Sequence, residues 1–201
     1  MSNVTLVMLQ PEKTPIHWTI GEKKVSKPDV RSLTDVIKDL LLNTNTDAVL
    51  FWDNLSYLPS NDLIEYLLES SNDVWHAGLR MGLSGKPEML NYVNPTWMLN
   101  RDPDPNKTAT SWRLSLRACL FRTEVLRQIG TLEPGFETLE GAGLELGYRC
   151  IRAGVFIRYI PELLPVDFAQ EKVIIPLADQ LRFIQLGFGG KWAKWTKFRT
   201  V

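Results

Sequence analysis

Ala118-Cys119-Leu120-Phe121-Arg122-Thr123-Glu124-Val125-Leu126-Arg127-Gln128-Ile129-Gly130 is the stretch on which the fold turns. Its first four residues are apolar and, with Leu114 and Leu116 before them, predict a buried strand over Leu114 to Phe121. Thr123 is then the expected cap of a short helix, with Val125, Leu126 and Ile129 on one face and Gly130 as its stop. A strand that passes directly into a helix is the repeating unit of α/β domains.

The pattern continues on both sides. Downstream, Leu144 to Ala153 predicts a helix closed by Gly154, and Val155 to Ile160 a strand ended by Pro161. Pro176 opens an amphipathic helix through Leu177, Leu181 and Ile184. Upstream, Ala48-Val49-Leu50-Phe51-Trp52 is wholly apolar and ends abruptly at Asp53-Asn54. Strands of that kind suit the middle of a sheet covered on both faces. Val4 to Leu9 and Val74 to Leu79 read as further strands, and Glu12 to Pro28 as a loop or hairpin. Ser32-Leu33-Thr34-Asp35 has the look of a capped helix start, followed by an apolar face of Leu33, Val36, Ile37, Leu40 and Leu41. A second helix begins after Pro59-Ser60-Asn61-Asp62, with Leu63, Ile64, Leu67 and Leu68 inward. From Arg80 to Ser111, Gly, Pro and Asn recur throughout, and loops this long inside a domain usually serve a function. The expectation is one α/β domain over 1–201, with 176–201 a C-terminal amphipathic helical tail.

Composition narrows the class. The chain has 201 residues, 44% hydrophobic and 23% charged, so it is long and apolar enough to bury a core. Its 23 Lys and Arg balance 23 Asp and Glu, and a chain without basic excess lacks the field that nucleic-acid binders use. Cys119 and Cys150 are the only cysteines and His17 and His76 the only histidines, with no zinc-ligand spacing among them. No segment has the length of apolar sequence that spans a bilayer, and the first residues lack a basic, then apolar, leader pattern. A reducing, cytoplasmic setting is expected, with peripheral membrane contact through 191–199 as a further option.

Asp53 is the first residue with chemistry to offer. Ligands of open α/β sheets sit at the carboxyl ends of the strands. A carboxylate there can hold Mg²⁺ against a diphosphate, or it can simply cap the following turn.

The run from Ala118 to Pro161 resembles the acceptor-side half of family 2 glycosyltransferases, enzymes of GT-A fold that use nucleotide-diphosphate sugars. The likeness rests on the strand ending Phe121-Arg122, the following helix, Gly130 to Phe136, then Glu145-Leu146-Gly147-Tyr148-Arg149 leading to Ala153-Gly154, a strand and Pro161. Asp47 to Pro59 resembles the strand that ends in the family's Asp-x-Asp metal motif. The resemblance implies a GT-A-like mixed sheet flanked by helices, with Mg²⁺ or Mn²⁺ and a nucleotide diphosphate sugar as cofactors of an active member.

Three departures stand out. The metal motif reads Asp53-Asn54-Leu55, so its second carboxylate is a leucine. Ala142-Gly143 replaces the Glu-Asp pair that carries the family's catalytic base, and glycine cannot take a proton from an acceptor hydroxyl. The chain before Asp53 is short, leaving a reduced nucleotide-binding half. Glu140, expected in a loop, and Glu145, on a helix, are the candidate substitutes for the base. Asp102 and Asp104 are candidates for a second metal ligand or for substrate binding. Trp97 and Trp112 can stack on a sugar or can anchor the loop by packing. The reading is a degenerate glycosyltransferase-like domain that binds a glycan, a nucleotide or a partner protein; the alternative is an active transferase with a rearranged site.

Trp192, Trp195 and Phe198 recur every three residues beside Lys191, Lys194 and Lys197. Rings spaced this way need cover: the protein's own core, a second copy or a membrane surface. Burial in the core or in a homodimer is the expectation.

Overall fold

The computed structural model describes residues 2–10, 17–53, 57–78, 81–83, 104–165 and 173–200. Strands β1 (Val4–Met8), β2 (Lys23–Val25), β3 (Ala48–Trp52), β4 (Val74–His76), β6 (Ala109–Thr110), β7 (Ala118–Arg122) and β8 (Ile157–Tyr159) form one mixed sheet in the order β2-β1-β3-β7-β4-β8-β6. Strand β5 (Met81–Leu83) pairs parallel with β9 (Val173–Ile175) in a separate two-stranded sheet. In the large sheet β7 runs antiparallel between β3 and β4, and β6 runs antiparallel on β8; the other pairings are parallel. Because β2 runs parallel to β1, the two strands do not form a hairpin.

The apolar β3 is buried at all five positions, and alternation sends its side chains to two cores. Val49 and Phe51 join Val7, Val74, Cys119 and Phe121 on the face covered by α1 (Val30–Asn43), α3 (Thr123–Ile129), α4 (Leu139–Arg152) and α5 (Leu177–Phe188). Leu50 and Trp52 join Leu6, Met8, Trp75 and Leu120 on the other face, under α2 (Asn61–Glu69) and Leu163. Helix α6 (Gly190–Thr200) follows α5 after Gly189, whose φ of 94° breaks the helix, so the tail is two helices rather than one.

Several boundaries differ from the sequence pattern, each for a local reason. Helix α1 starts at Val30 because Asp29 caps it, accepting from the Ser32 amide at 2.8 Å. Thr123 is the first residue of α3 rather than its cap, and its hydroxyl is buried with no partner among the described residues. Arg122 instead turns its guanidinium onto the carbonyls of Leu68, Ser70 and Asn72, clamping the end of α2 to β7. On α5 the inward residues are Asp179, Gln180, Phe183 and Ile184, while Leu177 is exposed.

The largest shift is at α4. It begins at Leu139, five residues before the expected start, with the Thr138 hydroxyl accepting from the Gly141 amide at 3.0 Å. Glu140, Ala142 and Gly143 therefore lie on a helix, not in a loop. The segment before β7 is irregular through Leu114–Arg117, because it lies directly on this helix. A Cβ on Gly147 would sit 2.0 Å from the Trp112 carbonyl oxygen, and one on Gly143 would sit 2.6 Å from that of Leu114. Glycine in a helix is ordinarily a loss against alanine of up to about 1 kcal/mol. Here the sign reverses: Gly147→Ala should destabilise the protein by about 1–3 kcal/mol, as overpacking against backbone does. Urea unfolding checks it; an unchanged or raised midpoint would contradict the close approach.

Candidate functional site

At the carboxyl edge of the sheet, β1 leads into Gln10 and β3 into Asp53, while Arg117 enters the antiparallel β7 at the same edge. The Asp53 amide donates to the Arg117 carbonyl at 2.8 Å, which fixes the two residues side by side. Arg117 Nη1 donates to Asp53 Oδ2, and Arg117 Nε donates to Glu140 Oε1 at 2.6 Å. Gln10 Nε2 completes the row by donating to Asp53 Oδ1 at 2.7 Å. The Asp53 and Glu140 side chains are 12% and 10% exposed, and that of Arg117 is 38% exposed. Burial disfavours the guanidinium's charge, but Glu140 and Asp53 outweigh it and hold its pKa above the ordinary value.

This geometry bears on a metal ion. Both Asp53 oxygens already accept hydrogen bonds, one from a cation. A divalent ion there would face a guanidinium at contact distance, and among the described residues no group of three His, Cys, Asp or Glu side chains converges. The described residues do not fit the Mg²⁺ or Mn²⁺ that the resemblance implies. Asn54 and Leu55, like Trp97 and Asp102, lie outside the described residues.

The other expected site residues are dispersed. Glu145 grips Arg149 one turn along α4 at 2.8 and 3.0 Å. Arg149 also donates to the Ile129 and Thr131 carbonyls, so this pair fastens the end of α3 to α4. Asp104 accepts from the Asn106 amide at 3.0 Å and pairs with Lys107 at 3.3 Å, closing its own turn. That turn leads into β6, four strands from β3, or roughly 19 Å at ordinary strand spacing. Trp112 is 7% exposed, stacked on Phe183 at 5.9 Å and edge-on to Tyr148. It belongs to an aromatic core and offers no platform for a sugar ring.

Three residues unmarked by the sequence pattern prove important. Arg117 links the edge carboxylates. Asp179 on α5 is 1% exposed and accepts from the Glu137 and Thr138 amides and the Thr138 hydroxyl at 2.6–3.0 Å, holding the start of α4. His76, ending β4 at the same edge, is fully buried against Tyr159, and its Nε2 meets no partner among the described residues. Burial pushes its pKa from the ordinary 6.5 down to about 3, which keeps it neutral in the fold.

No family model matches the chain, and no curated protein matches it. No helix among the described residues is long and apolar enough to cross a membrane.

Two outcomes test this edge. Replacing Arg117 by Met leaves two carboxylates facing each other and should destabilise by about 2–3 kcal/mol, less than a fully buried pair because the arginine is 38% exposed. Glu140→Gln in the same chain should recover part of that loss in urea unfolding; no loss from Arg117→Met would mean the row carries little. His76 gives a pH dependence. The unfolded chain protonates it near pH 6.5 and the folded chain only near pH 3, so stability falls as pH falls between those values. The slope from this group is up to about 1.4 kcal/mol per pH unit. His76→Leu should show a smaller drop in unfolding midpoint from about pH 7 to about pH 4.5; an equal drop would show that His76 takes up its proton in the fold.

Proposed function

We propose that this chain is a glycosyltransferase-like domain that does not transfer sugar and acts by binding, with a saccharide or a partner protein as its ligand. The observation that carries the reading is the state of position 143. In the family that Ala118 to Pro161 resembles, this position holds the catalytic aspartate. Here it is a glycine in the first half of α4, with the Leu114 carbonyl 2.6 Å from where a Cβ would stand. The space for a base has been filled by the chain's own backbone. Asp53, which the resemblance gives to the metal, accepts from Arg117 and Gln10 instead. Arg117, 38% exposed between two mostly buried carboxylates, is the member of this row open enough to donate to a hydroxyl-rich or polar ligand at the strand edge.

The element order supports the likeness as far as it goes: strand β7, helix α3, Phe136, helix α4, strand β8 and Pro161 follow in the expected sequence. An active transferase with a rearranged site is the second reading, favoured by the presence of Asp53 and Glu140 on the same edge. It requires Arg117 to leave at least one of them. Nucleotide-diphosphate release from a panel of nucleotide sugars, with Mg²⁺ or Mn²⁺ supplied, distinguishes the two. The expected outcome is release no faster than without protein. Release above that background, lost on Glu140→Gln, would establish the second reading and overturn the first.

A further inference from the structure

The rings of the tail are not buried by the protein. Helix α6 turns Ala193 and the fully buried Thr196 inward. Phe198 follows Thr196 by two positions, a rotation of roughly 200° that turns it outward, while Trp192 and Trp195 lie on the flank of the helix. Trp192, Trp195 and Phe198 are 43%, 44% and 81% exposed. The core face that they were expected to fill is taken by Phe183, Ile184 and Phe188 of α5, packed on Trp112 and Tyr148.

Lysines stand between the rings. Lys191, Lys194 and Lys197 are exposed, Arg199 follows in sequence, and Gly190–Thr200 contains no acid. Between α5 and α6 a groove of about 350 Å³ is lined by Leu181, Gln185 and Ala193 together with Arg182, Lys194 and Lys197. Arg182 is also paired with Glu133 at 3.2 Å. On a protein of zero formal net charge this is a local positive surface with aromatic residues set into it.

We infer that the outer face of α6 docks on an anionic lipid bilayer. Charge decides between the possible covers. A second copy placed symmetrically over this face would bring three exposed lysines against three, with no Asp or Glu on either helix, and like charges juxtaposed in an interface are strongly unfavourable. An anionic bilayer meets both features at once: lipid phosphates lie against the lysines, and tryptophan and phenylalanine rings enter at headgroup depth. An 11-residue helix is too short to cross a hydrocarbon core, which leaves the headgroup layer as its point of contact. The groove beside it has the size and charge to take a headgroup.

The intact chain, sedimented with vesicles of phosphatidylcholine alone or mixed with phosphatidylserine, tests this. Binding is expected only to the mixed vesicles, and raising ionic strength from about 0.1 M to about 1 M, which shortens the Debye length from about 10 Å to about 3 Å, should weaken it at least about tenfold. Lys191→Glu with Lys194→Glu should weaken binding at least about tenfold, each basic residue being worth about fivefold. Trp195→Ser with Phe198→Ser should weaken it as well. Arg31→Glu with Lys38→Glu, the same charge change on the exposed side of α1, should leave it unchanged. All of these side chains are exposed, and circular dichroism confirms that each variant keeps its fold. Failure of the intact chain to bind mixed vesicles at low salt, equal binding to both vesicle types, or equal loss in the α1 variant would overturn the inference. A concentration-dependent dimer abolished by Phe198→Ser, without vesicle binding, would assign the face to a second copy instead.

Discussion

The contact on which the rest depends is the one between a backbone and a helix that has no side chains in the way. The carbonyls of Trp112 and Leu114 lie where side chains at positions 147 and 143 would be, one helical turn apart on α4. That approach pulls the segment before β7 onto the helix and fixes where Arg117 enters the sheet. It also places Glu140, at the start of the same helix, within 2.6 Å of the Arg117 guanidinium. Trp112 is carried into the aromatic core by the same contact rather than left on a surface. One steric constraint thus explains the ion-paired edge, the lack of room for a side chain at position 143 and the burial of Trp112.

The electrostatics follow from that geometry. A guanidinium held between two mostly buried carboxylates is a self-contained arrangement, and a cation added at Asp53 would have to displace one already there. The start of α4 is held in the same manner, by Asp179 reaching from α5 to two amides and a hydroxyl. Gly141 leaves room for it, since a Cβ there would stand 2.4 Å from the Asp179 carboxylate. Small residues at 141, 143 and 147 therefore serve packing against polar groups on both sides of the helix, and they do so in the stretch where the resembled family places catalytic acids.

Local signals located the sheet and most helices. The apolar run Ala48–Trp52 and the Gly130 stop of α3, with its φ of 85°, are each legible from neighbouring residues alone. The start of α4 was not, because Gly141-Ala142-Gly143 has the composition of a loop and becomes helical only through contacts with residues far away in the chain. Arg117 escaped notice for the same reason: its partners lie 64 and 23 residues away. His76 and Asp179 carry no pattern that separates a buried polar residue from a solvated one. The tail shows the reverse case, since its aromatic spacing suggests burial while the inward face of α6 is Ala193 and Thr196. Periodicity fixes which residues share a face but not which face turns inward.

With both Asp53 oxygens engaged, the strand edge should be closed to the metal and diphosphate that the sequence resemblance implies. Calorimetric titration of a nucleoside diphosphate with Mn²⁺ into the purified chain addresses it directly. No metal-dependent binding tighter than about 1 mM, or about −4 kcal/mol, is expected. Sub-millimolar binding that requires Mn²⁺ and disappears in Asp53→Ala would contradict it.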